Sequence, residues 1–309
     1  MRLYKIVFYV TGAYIFFFTG ASCSSLSSVQ RNAIGSFASR VDSLAAAPSV
    51  IISALSQFRL ERGVYYTSTL NNPETRITEL DGIFQADKTY RTLENQIDIT
   101  SQVVGIYARA LGYLAHKNRY EQFGVTSRSL GKKIDTLLEE YNSFGITPAL
   151  PLGYGGFSGE VIGELRMQLL KYKQKRVVKN YVHKADTLVG VITTSLISLF
   201  NSKEFNDMLD YEETALRTAY LSRLRYAGNM SVVLTPADDM KYLELSRTLY
   251  DIRTLRRKTV SAVRSMGTAH KGLVKTLDKP RSLKETWTEA EAFVEEINNL
   301  YDSYNKLTK

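Results

Sequence analysis

The sequence predicts an all-α fold: an elongated bundle of about six to eight mostly long, antiparallel helices. Three observations carry that expectation. Prolines and glycines number six and 19 in 309 residues and fall in clusters, leaving long stretches rich in Leu, Ala, Lys, Glu and Arg. Within those stretches apolar residues recur every three or four positions, the period of one helix face. Almost no window alternates with period two over the length of a strand, Ser231 to Leu234 being a brief exception.

The chain opens on a cationic start with Arg2 and Lys5, an apolar run from Ile6 to Phe18, and the small residues Thr19-Gly20-Ala21-Ser22. That is the anatomy of a secretory leader spanning 1–22. Its apolar run falls well short of the ~20 residues that cross a bilayer as a helix, and no later uninterrupted apolar run reaches that length. The small residues lead directly into Cys23, the one cysteine of the chain, followed by Ser24 and Ser25.

Gly20-Ala21-Ser22-Cys23 resembles the lipobox of bacterial lipoproteins. Ala21 and Ser22 fit that pattern, and Gly20 stands where it usually has Leu or another aliphatic residue. The resemblance covers only the first 25 residues or so. It implies a diacylglycerol thioether on Cys23, cleavage before it, and acylation of the freed amine with a fatty acid such as palmitate. Ser rather than Asp after the cysteine implies sorting to the outer membrane with the body in the periplasm, and no acidic run follows to direct export to the cell surface. An ordinary leader followed by a free thiol is the other reading. A lone cysteine in an exported protein can make no internal disulfide, and lipidation accounts for its presence. With ~0.8 kcal/mol per buried CH₂, two or three chains anchor where one would not.

The leader holds two of the 40 basic residues and none of the 31 acidic ones, so the remainder keeps a surplus of seven positive charges. Export removes nucleic acid as a partner and leaves anionic lipid, cell-wall polymer or an envelope protein.

Residues 23–30 read as a short lipidated tether, and the body as 31–309. A first helix carries Ile34, Phe37, Val41 and Leu44, and Pro48 opens a second through Ile51, Leu55 and Phe58. Asn71-Asn72-Pro73 breaks the chain. From Glu74 to about Arg119 the stripe Ile77, Leu80, Phe84, Leu93, Ile97, Val104, Tyr107, Leu111 and Leu114 continues for roughly 46 residues, or ~70 Å. Gly124 is expected to end or bend it before a segment with Leu130, Ile134, Leu137, Leu138 and Tyr141. The stretch from Gly145 to Gly159 holds two prolines and five glycines, yet also Ile146, Leu150, Leu152, Tyr154 and Phe157. Residues 146–156 therefore read as a packed apolar loop joining halves 31–145 and 157–309. In the second half Ser158, Ser202 and Thr235-Pro236 are helix starts, and Gly228-Asn229 and Lys279-Pro280 are stops. Ser282 begins a final acidic helix with Trp287, Phe293, Ile297, Leu300 and Tyr304.

His116, His183 and His270 stand apart, with no cysteine or second histidine at metal spacing. No nucleophile elbow, phosphate loop or dinucleotide fingerprint occurs, so no catalytic, cofactor or metal residue is assigned. Two stretches are strongly basic. Lys171, Lys175 and Lys179 share a helix face by i,i+4 spacing, and Arg256, Arg257 and Lys258 fall within a second cluster. These six are candidate contacts for an anionic surface. The competing and favoured expectation is that they pair internally with the acid-rich segments Glu74 to Asp98, Glu204 to Glu213 and Glu285 to Glu296.

The expected function is that of a lipid-anchored, non-enzymatic scaffold or binding protein of the bacterial envelope. The alternative is a membrane-active helical protein of the pore-forming type, which would release the apolar segment Leu188 to Phe200. Thirteen residues suit a buried core helix better than a span.

Overall fold

The computed structural model describes residues 26–116, 120–143, 167–231, 233, 235–278 and 283–308. Side chains are described from 132 in the second stretch, from 174 in the third and, apart from 289–290, from 288 in the last. Among the described residues there are no strands and eight helices. They are α1 (Ser28–Leu44), α2 (Ala47–Thr67), α3 (Pro73–Ala115), α4 (Tyr120–Ser143), α5 (Met167–Asn201), α6 (Lys203–Met230), α7 (Pro236–Asp278) and α8 (Leu283–Thr308). The leader, Cys23 and the 146–156 loop, with Ser158, lie outside the described residues.

Helix α1 starts at Ser28, earlier than the pattern suggests, because Ser27 and Gln30 form a capping box. The Ser27 hydroxyl accepts from the Gln30 N–H, and the Gln30 amide oxygen accepts from the Ser27 N–H. Leu26 just before it is fully buried and pins the entry of the chain. Ala45 and Ala46, between α1 and α2, both keep right-handed helical dihedrals, so the rod continues with only an interruption where Pro48 lacks an N–H. The resulting stretch, Ser28–Thr67, is long and apolar enough to cross a membrane, but half of its most apolar window is buried inside the bundle. It lies between the two 43-residue helices, α3 and α7.

Small residues set how closely α1 approaches α3. A Cβ on Gly105 would lie 3.3 Å from the Ala45 Cβ, and one on Gly112 would lie 3.3 Å from the Ala38 Cβ. The first end of the bundle therefore gathers α1, α3, α4, α5, α7 and α8, and the opposite end α2, α3, α6 and α7. Ser28 to Thr67 covers roughly 60 Å at 1.5 Å per residue, which makes the molecule a rod.

Other expected signals act as anticipated. Asn72 caps α3 through the Thr75 N–H, Ser202 caps α6 through the Phe205 N–H, and the Asp238 carboxylate accepts from the Thr235 N–H at the start of α7. Two breaks move. Helix α3 ends at Ala115, where the buried Gln174 amide donates to the Leu114 and Ala115 carbonyls that the helix leaves open, and Gly124 lies within α4 rather than breaking it. Gly228-Asn229 does not stop α6, which runs on to Met230 and ends with Ser231 in the left-handed region at φ 52°.

Candidate functional site

Two buried polar layers fix which helices are neighbours. In the first, the Tyr107 hydroxyl of α3 lies 2.8 Å from Nε2 of His270 on α7, and Asp186 of α5 lies 3.2 Å from its Nδ1. Tyr181 stacks on Tyr107, and Phe37 of α1 packs against the imidazole. His270 is 1% exposed and Tyr107 2%. Burial pushes the histidine pKa down to about 4 against the pull of the Asp186 carboxylate, and burial holds the Tyr107 phenol well above its ordinary value. The Asp–His–Tyr order has the look of a proton relay. His270 and Tyr107 are enclosed in the packed core and bond each other, with Asp186 on the second ring nitrogen, so the arrangement is a satisfied polar plug.

In the second layer, Glu212 of α6 is fully buried between Arg59 and Arg62 of α2, at 2.9 and 2.8 Å. The Arg59 guanidinium also lies 4.5 Å from the centre of the Tyr90 ring of α3. Beside it the Ser56 hydroxyl and Arg91 both bond Asp87, and these two hydrogen bonds hold its carboxyl below the usual carboxylate range.

Several residues of the basic stretches also pair within the bundle, at more exposed positions. Lys179 and His183 both meet Asp278 at 2.8 Å. Arg253 pairs with Asp210 and Glu213, so the Glu204 to Glu213 segment does lie alongside the second basic cluster. Arg256 is half-buried and donates to the Phe200 carbonyl and to Asn206, and burial lowers its pKa. Lys258 donates to the Asn299 carbonyl. Arg257 is exposed and Lys175 half-exposed, while the Lys171 side chain lies outside the described ones. The six do not form one open cationic face.

What sequence reading did not anticipate is a groove of about 700 Å³ at mid-length, between α3, the end of α4 and the second half of α5. It is lined by Leu93, Ile97, Val191, Leu196 and Leu199 among apolar residues, and by Gln96, Thr100, Thr187, Thr194, Ser195 and Ser198 among polar ones, with Tyr141 and Gly190 completing it. No charged residue is among the thirteen. The Thr100 hydroxyl is spent on the Gln96 carbonyl of its own helix. Tyr141 is the one titratable group, and burial raises its pKa.

The groove accounts for the two-sided character of the apolar segment Leu188 to Phe200. Leu188, Val189, Ile192, Leu196 and Phe200 are buried in the core. The other face, Gly190, Val191, Thr194, Ser195, Ser198 and Leu199, lines the groove. A signal was present in the sequence: a glycine with three hydroxyl residues, all poor helix formers, on one face of an otherwise apolar segment. Gly190 sits mid-helix, where glycine is less favourable than alanine by about 1 kcal/mol. Unlike Gly267, whose Cβ would meet Thr193 at 3.0 Å, it has nothing within 4 Å of where a Cβ would stand. It is not there to let helices touch; it leaves space open.

A second unpartnered feature lies at the far end. Ile77, Leu80 and Phe84 share an exposed face of α3, at 61%, 37% and 55% exposure, and Lys88 lies over the Phe84 ring. Among the described residues no group of His, Cys, Asp and Glu is placed to hold a metal. Set beside known proteins, the chain matches no family model, no curated protein and no solved structure.

Proposed function

We propose that this is a lipid-anchored binding protein of a bacterial envelope, non-enzymatic, with the groove between α3, α4 and α5 as its working site. The observation that carries the reading is the groove itself: it has the volume of a small-molecule site, a mostly apolar surface, and no acid, base or nucleophile pair among its thirteen described lining residues. The His270 imidazole and the Tyr107 phenol, which resemble part of a catalytic cluster, are buried and not among its lining residues. The anchor rests on the leader and on Cys23, with Ser24 favouring the outer membrane and the periplasm. Helix α1 begins at Ser28, four residues after Ser24, so the rod starts close to the lipid surface.

Two measurements test this. Expressed with its leader in a bacterial host, the wild type should give a denatured mass that begins at Cys23 and carries acyl chains, and it should fractionate with membranes; Cys23→Ala should lose both. An unmodified thiol in a soluble product would end the anchor reading. The pore-forming alternative needs Leu188 to Phe200 to leave a core in which five of its side chains are buried. Anionic liposomes loaded with dye should therefore stay sealed when the protein is added, and rapid leakage would favour that alternative.

A further inference from the structure

Resting on the groove as the working site, we infer that its ligand is a single straight acyl chain, held by its tail with the head group outside. The lining excludes the other end of an amphiphile. A carboxylate or phosphate drawn into the groove would lose its water and find no cationic side chain among the thirteen residues in exchange. An aliphatic tail can instead leave water to pack on Leu93, Ile97, Val191, Leu196 and Leu199.

Shape argues for a chain over a compact ring system. The lining follows α5 from Thr187 to Leu199, about 18 Å at 1.5 Å per residue, while α3 contributes only Leu93 to Thr100. An extended chain advances roughly 1.25 Å per carbon, the projection of a ~1.5 Å bond, so about 14 carbons fill that length. Gly190 lies near one end of the α5 row and keeps the slot open where any side chain would stand in it.

The test uses the membrane-anchored protein extracted with its own lipid into polymer discs, so that no detergent competes for the groove. Three photoreactive probes are compared: a C14 fatty acid, a monoacyl phosphocholine with the same chain, and a bulky uncharged aromatic. Crosslinks from both acyl probes should map to Leu93–Thr100 and Thr187–Leu199. Unlabelled fatty acids should compete with a potency that rises about fourfold per methylene and levels off near 14 carbons. Labelling by only one acyl probe would still support the tail and would identify free acid or phospholipid as the source.

Gly190→Leu should abolish the groove crosslinks while the unfolding midpoint holds or rises, since the added side chain enters open space and removes a helix-interior glycine. A groove labelled by the aromatic probe alone would overturn the acyl chain while leaving a binding groove. A groove labelled by none of the three would overturn both.

Discussion

Glu212→Ala is expected to destabilise the fold by about 3–5 kcal/mol, the largest effect expected of a single polar substitution among the described residues. Its side chain is 1% exposed, and Arg59 and Arg62 meet its two oxygens from α2 with 26% and 15% of their own side chains exposed. Removing the carboxylate leaves two guanidinium groups facing each other in a site from which water is largely excluded. The loss comes from those uncompensated charges more than from a missing bond. Hence the triple change Glu212→Leu, Arg59→Met and Arg62→Met is expected to lie close to wild type in stability, because it removes both charge and partner. Urea unfolding of the two variants beside wild type checks this. A Glu212→Ala loss below about 1 kcal/mol would mean that the layer is solvated and does not hold α2 against α6.

The second large effect is a pH dependence set by His270. Its folded-state pKa is lowered to about 4, and in the unfolded chain it titrates near its ordinary value. Between about pH 6.5 and 4 the unfolded chain therefore binds the additional proton. Stability is at its full value above 6.5 and falls as the pH drops through that window, by about 3 kcal/mol at 1.36 kcal/mol per pKa unit. The groups facing the imidazole are Asp186 of α5, Tyr107 of α3 and Phe37 of α1, with Tyr181 stacked behind Tyr107 and the His183 charge acting from further along α5. Carboxyls held below their usual range, such as Asp87 by Ser56 and Asp278 by Lys179, lose their partners only at lower pH. His270→Gln can accept from the Tyr107 hydroxyl and donate to Asp186, and it is expected to flatten the dependence between pH 6.5 and 4. An unfolding midpoint that falls as steeply in that variant as in wild type would assign the acid sensitivity elsewhere.

The helices were readable because their causes are local. Ser202, Thr235-Pro236 and Asn72-Pro73 start helices through side chains and backbone within three residues, and the stripe from Ile97 to Leu114 is buried as its spacing requires. The same stripe misleads at its beginning, since Ile77, Leu80 and Phe84 keep the period yet face outward. Glycine weakens helices, so Gly124 is expected to end or bend one and Gly228 to stop one, but a penalty near 1 kcal/mol is easily overridden within a longer packed segment. The polar layers were hidden for another reason. Asp186, Tyr107 and His270 are separated by 84 and 163 positions along the chain, and only the packing of α3, α5 and α7 brings them together. The groove likewise depends on how α3, α4 and α5 come together, and only its glycine and hydroxyl face was written in the sequence.

The most direct measurement of the central claim is mass spectrometry of the same preparation under native and denaturing conditions, for wild type and Gly190→Leu expressed with the leader intact. Denaturing spectra should show the acylated Cys23 in both. Native spectra should show a further noncovalent adduct of fatty-acid or monoacyl-lipid mass on the wild type, absent from Gly190→Leu. Equal adducts on the two proteins, or none on either, would contradict a membrane-tethered protein that carries its ligand in this groove.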